Sequence, residues 1–223
     1  MRPFLYGVFW IGIYLIIIVA PLLVLLIGPI PPGRGFWREF SVAVGFVGLP
    51  MMGLQFFLTG RFKRITSPYG IHVVYHFHRQ ISTIAVILVL LHPLIIFIST
   101  PDTLILLDPI SSPWWITTGT AALVVLAILI LTSIKRKEWG IRYEPWRLRH
   151  AFLSIGVVAL SLIHIEGVGY YVQGPLKRWF WIGLVTAWGL HRRRDLCLDP
   201  ISGGFGIPAD NSHYRGTGCS SPD

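Results

Sequence analysis

His76-Phe77-His78-Arg79-Gln80-Ile81-Ser82-Thr83-Ile84-Ala85-Val86-Ile87-Leu88-Val89-Leu90-Leu91-His92-Pro93-Leu94-Ile95-Ile96-Phe97-Ile98 is oily enough to cross a bilayer, yet it keeps the imidazoles of His78 and His92 within it. A second run, from Leu148-Arg149-His150 to Leu162-Ile163-His164, repeats the device, and both pairs are 14 residues apart. A helix rises about 1.5 Å and turns about 100° per residue, so 14 residues separate two side chains by roughly 21 Å while returning them to within about 40° of one face. Each helix can thus present two ligands at two depths. Ionisable side chains at membrane depth are expensive and mark function by default.

The rest of the chain supplies the setting. It has 223 residues, 53% of them hydrophobic, and a mean hydropathy of +0.64, too oily for a soluble domain of this size. Six apolar segments stand out, at residues 4–27, 40–59, 76–98, 114–134, 148–168 and 177–190. About 20 apolar residues suffice to cross a hydrocarbon core of about 30 Å. In lipid only helices and closed barrels satisfy their own backbone, and continuous apolar runs select helices. The expected fold is therefore an all-α integral membrane protein, a bundle of six transmembrane helices. The first segment carries one basic residue before a run too long for a secretory signal, and no small-residue cleavage site follows, so it reads as a retained helix.

Charge orients this bundle. With the N-terminus in the cytoplasm, the inner segments collect Arg2, Arg61, Lys63, Arg64, Arg79, Lys135, Arg136, Lys137, Arg142, Arg147, Arg149 and the arginines of the tail, whereas the outer loops hold Arg34, Arg38, Lys177 and Arg178. Residues 99–113 contain two aspartates and no Lys or Arg. The positive-inside rule favours that orientation, with both termini cytoplasmic in a cell membrane. The net charge of +9 is then a topology signal, and no soluble basic face suggests a nucleic-acid partner.

In that orientation the third and fifth helices run parallel. His78 and His150 fall at an inner level, His92 and His164 at an outer one. Two imidazoles facing each other at one depth can hold an iron from both axial sides, the six-coordinate state suited to electron transfer, so two levels imply two stacked hemes. Two ligands on one helix lie too far apart to share a metal. The plainer reading, in which each histidine only hydrogen-bonds a neighbouring helix, accounts for any one of them but not for the repeated interval. His76 fits worse than His78, because a 16-residue interval to His92 turns the side chain by about 160°. His72 and His76 are expected at the interface, and His191 and His213 in solvent. Cys197 and Cys219, two isolated thiols in the tail, make neither a metal site nor a disulfide framework. Trp114, Trp115, Trp139, Trp146 and Trp179 read as an interfacial belt.

The strings His78-Arg79-Gln80, Leu91-His92-Pro93, Trp146-Arg147-Leu148-Arg149-His150 and Leu162-Ile163-His164 resemble the ferric reductase transmembrane domain. That domain is shared by ferric reductases, NADPH oxidases and the heme subunit of a bacterial methionine sulfoxide reductase system. The resemblance covers about residues 40–190. It implies two b-type hemes held by His78, His92, His150 and His164, and no Cys-x-x-Cys-His motif for covalent attachment is present. Arg79 and Arg149, beside the inner ligands, are candidates for pairing with heme propionates, or simply for marking the headgroup region. The polar residue that oxidases carry one turn after the outer histidine is replaced by Ile96, which weighs against an oxygen-reducing role. Glu166, near the outer end, is a candidate contact for an acceptor or metal, against the plainer reading of a solvated helix-end carboxylate.

Active members of that family carry a cytoplasmic flavin and nicotinamide module after the sixth helix. Residues 191–223 are too few for one, and Gly203-Gly204-Phe205-Gly206 lacks the flanking strand and helix of a dinucleotide fingerprint. Flavin, FAD or FMN, would then come from a missing domain or a partner. The last apolar run is short, and residues 191–223 read as disordered, either the result of truncation or a frame shift, or the tail of a naturally short cytochrome subunit. The expected activity is electron transfer from a cytoplasmic flavin or flavoprotein, through the two hemes, to an outer ferric chelate or acceptor protein. The alternatives are a relay subunit without turnover of its own and a heme-free transport or structural protein.

Overall fold

The computed structural model describes residues 2–59 and 70–198. Among them are six α-helices: α1 (Arg2–Leu25), α2 (Phe36–Thr59), α3 (Gly70–Ser99), α4 (Trp114–Ile134), α5 (Tyr143–Val168) and α6 (Pro175–Leu198), with a 3-10 helix at Pro101–Leu107 between α3 and α4. Five, α1 to α5, are long and apolar enough to cross a membrane. The chain is thus a helical integral membrane protein, with five such helices against the six expected. The basic cluster Arg61, Lys63 and Arg64, together with His213 and Cys219, lies outside the described residues.

Helix ends differ from the sequence reading in instructive ways. α3 begins at Gly70, so His72 and His76 ride on the same helix as His78, both exposed. α5 begins at Tyr143, upstream of the expected start, because Pro145 in its first turn removes only an N–H that has no intrahelical partner. It closes on Gly169 at φ 66°, the left-handed position that favours glycine. α6 opens with Pro175 and continues to Leu198, past residue 190 where the last apolar run ends, and residues 199–223 of the expected disordered tail lie outside the described residues. Arginine is a good helix former, so the run Arg192-Arg193-Arg194 is compatible with a continuing helix.

α2 is the hub. It is the most buried of the five apolar helices and packs against α1, α3, α5 and α6. Phe46, Leu49 and Phe56 of α2 join Val158 of α5, Val172 of the following loop and Trp181 and Trp188 of α6 in the main core. The largest packing surfaces are α2 against α3 and α4 against α5. α3 and α5, which carry the histidines, do not pack closely along each other. The bundle therefore presents two antiparallel hairpins whose histidine rows face one another.

Candidate functional site

The four histidines meet in two pairs. The rings of His78 and His150 lie with centroids 6.5 Å apart at an interplanar angle of 68°, and those of His92 and His164 repeat both values. A metal–imidazole bond is about 2.0 Å and the ring centre lies roughly 1.1 Å behind its nitrogen, so two axial imidazoles on one metal stand about 6.3 Å apart. Edge-to-face packed rings span about 4.5–7 Å between centroids, so it is the agreement with the axial distance in both pairs, together with the parted helices, that bears on a metal. The spacing and the parted helices fit a flat macrocycle held between the hairpins.

Each ring is also fixed by its other nitrogen. His92 Nδ1 donates to the Ser41 carbonyl at 3.0 Å, and His164 Nδ1 donates to the Trp115 carbonyl at 2.7 Å. His78 Nδ1 lies 2.8 Å from Gln55 Oε1, and the Gln55 amide nitrogen is itself used on the Met51 carbonyl, so Oε1 accepts. His150 Nδ1 lies 3.0 Å from Ser133 Oγ; that hydroxyl donates its proton to the Leu129 carbonyl at 2.7 Å, so its oxygen accepts from the ring. In a neutral imidazole with Nδ1 protonated the lone pair is on Nε2, the ligand-competent arrangement that second-shell acceptors impose on metal-binding histidines.

Two glycines make the outer contacts geometrically feasible. In a regular α-helix the Ser41 carbonyl accepts from the Gly45 N–H and the Trp115 carbonyl from the Gly119 N–H. A side chain at either glycine would stand in the ring's path: a Cβ at position 45 would lie 3.2 Å from His92 Cγ, and one at 119 only 2.7 Å from His164 Nδ1. The Ser41 carbonyl thus accepts a second hydrogen bond, and the Trp115 carbonyl, which also takes the Thr118 hydroxyl at 2.8 Å, a third, each through an opening that only glycine leaves. Ser41, Gln55, Trp115, Ser133, Gly45 and Gly119 were not singled out for this role from the sequence. The detectable signal was a lone amide, Gln55, in an apolar helix.

Beside the outer pair an apolar cavity is lined by Gly45, Phe46 and Val89, with His92 and His164 on its walls and Arg34 at its edge. The Arg34 guanidinium sits 3.8 Å over the Tyr170 ring. Glu166, a candidate acceptor contact by sequence, is instead paired with Arg178 at 2.8 Å, tying the end of α5 to the start of α6. Arg79 and Arg149 are exposed, and Arg149 Nε turns back to the Pro145 carbonyl at 3.2 Å. Trp114, Trp139 and Trp179 are exposed, whereas Trp146 leans on His150 with ring centroids 5.2 Å apart. Among the described residues no group of three or more His, Cys, Asp or Glu side chains is placed to hold a bare metal ion.

Fold and site together define a helical membrane protein with two tiers of opposed, pre-oriented histidines. Residues 44–189 match the family model described as ferric reductase like transmembrane component, and the chain belongs to that family. The match takes in all four histidines and leaves α1 outside it. The chain is 25% identical over 138 residues to an uncharacterized protein of Archaeoglobus fulgidus, covering 58% of this chain and 75% of that one. No solved structure matches it significantly. Membership points to transmembrane electron transfer as the general class of activity.

Proposed function

We propose that this chain carries electrons across the membrane through two b-type hemes, one held by His78 and His150 and the other by His92 and His164. The observation that carries the reading is the repeat of one geometry at two levels: 6.5 Å between ring centres in both pairs, with every Nδ1 committed to an acceptor. These four imidazoles would hold the hemes, which when bound would supply one-electron redox chemistry. The protein's part is to hold the rings in one tautomer, keep the α2–α3 and α4–α5 hairpins parted, and exclude water with apolar walls. Arg79 and Arg149, each next to an inner ligand in sequence, are the residues we assign to propionate pairing on the cytoplasmic side. The electron donor is a flavin or flavoprotein, and the acceptor is an outer ferric chelate or protein.

Purified protein should show a reduced b-type absorption spectrum with two hemes per chain. His92→Ala or His164→Ala should remove one equivalent, and His78→Ala or His150→Ala the other. A folded but colourless wild-type preparation would overturn the proposal. In proteoliposomes, reduced flavin on one side should reduce a ferric chelate on the other, whereas turnover only with a second protein present would make the chain a relay subunit.

A further inference from the structure

The two histidine levels differ in what holds them. At the outer level each Nδ1 meets a main-chain carbonyl, of Ser41 and Trp115, and His92 Nδ1 also lies 3.0 Å from the Ser41 hydroxyl, whose proton goes to the His92 carbonyl. The two carbonyls are fixed by their helices, and they persist whatever side chain stands at position 41 or 115. At the inner level each Nδ1 meets a side-chain oxygen, Gln55 Oε1 at 2.8 Å and Ser133 Oγ at 3.0 Å. Gln55 is itself 6% exposed, and its orientation is set by the bond from its amide to Met51 O. The Ser133 hydroxyl, having given its proton to Leu129 O, has only lone pairs to offer.

An acceptor on Nδ1–H draws the proton away from the ring and makes Nε2 a stronger electron donor, which favours the oxidised metal and lowers its reduction potential. We infer that Gln55 and Ser133 are positioning residues that set the potential of the inner heme separately from that of the outer one. This rests on the two-heme reading. Backbone carbonyls hold both outer rings, while Gln55 and Ser133, which meet the inner rings, are two replaceable side chains that touch no outer ligand, which leaves the inner level separately tunable. That is the arrangement needed if the inner potential must be matched to a donor.

The test is a spectroscopic redox titration of purified full-length protein. The inner step is identified as the one that survives in His92→Ala. Gln55→Leu and Ser133→Ala should each shift the inner step to higher potential and leave the outer step where it was. Gln55→Glu, which retains an acceptor oxygen, should leave the inner step at or below its wild-type position. If Gln55→Leu loses the inner heme, the Ser133→Ala shift decides. Equal movement of both steps, or no movement of the inner step in either truncation, overturns the inference while leaving the two-heme proposal intact. A wild-type protein without heme would instead overturn the proposal itself.

Discussion

At the scale of single residues, the histidines were legible because each pair advertises itself by an interval that suits helix geometry. Their supports were not. Which serine or glutamine of an apolar helix meets an imidazole depends on how two helices lie against each other, and a carbonyl that accepts a second bond leaves no mark in the sequence. Gly119 shows how much depends on such a silent position. A methyl group there would stand 2.7 Å from His164 Nδ1, closer than side-chain carbons approach. Gly119→Ala must therefore move the ring away from the Trp115 carbonyl, break the 2.7 Å bond and release the tautomer. Loading should fall from two hemes per chain toward one in pyridine hemochrome quantification, with the His78/His150 level retained. Gly45→Ala, whose Cβ would meet His92 Cγ at 3.2 Å, should be milder, weakening the same heme rather than expelling it. Full loading of both variants would show that the glycines are mere packing.

At the scale of elements, length and hydropathy disclosed α1 to α5, whereas the extent of α6 was hidden because hydropathy ends at the membrane surface and helix propensity does not. α1 raises a different question, since it lies outside the family match and exposes much of its apolar surface. Lys177 answers part of it. This lysine, assigned by sequence to an outer loop, is only 3% exposed and donates from Nζ to the Leu25 carbonyl at 3.0 Å and the Pro29 carbonyl at 2.9 Å. Leu25 is the last residue of α1, where unpaired carbonyls and the negative end of the helix dipole favour a cation. The ammonium thus fastens the end of α1 to the start of α6. Hydrogen bonds from charged groups contribute roughly 1.5–3 kcal/mol each, though part is recovered when the buried charge is removed along with its bonds, so Lys177→Met should cost about 2 kcal/mol. SDS-unfolding titrations would measure it. Heme loading should be unchanged, because α1 supplies neither a ligand nor an Nδ1 acceptor.

For the whole molecule, the α2–α3 and α4–α5 hairpins behave as two copies of one device. In each, the second helix carries two histidines 14 residues apart and the first provides their Nδ1 acceptors. The direction of electron flow then depends on which end of the device faces the cytoplasm, and the connecting loops carry opposite signals. Between α3 and α4 the loop has Asp102 and Asp108 and no basic residue. Hydrogen bonds from the Ile110 N–H and the Ser111 hydroxyl hold the Asp108 carboxyl below its usual range, so it stays charged at neutral pH. Between α4 and α5 come Lys135, Arg136, Lys137 and Arg142. The positive-inside rule then predicts that the α4–α5 connection, and with it the His78/His150 level, faces the cytoplasm. Single cysteines test this directly after Cys197→Ser and Cys219→Ser. Ser111→Cys should react with a membrane-impermeant maleimide in intact cells, and Glu138→Cys, at a side chain 63% exposed, only after permeabilisation. The reverse pattern would turn the molecule over, placing His92 and His164 at the donor side and the potential-setting Gln55 and Ser133 at the acceptor side.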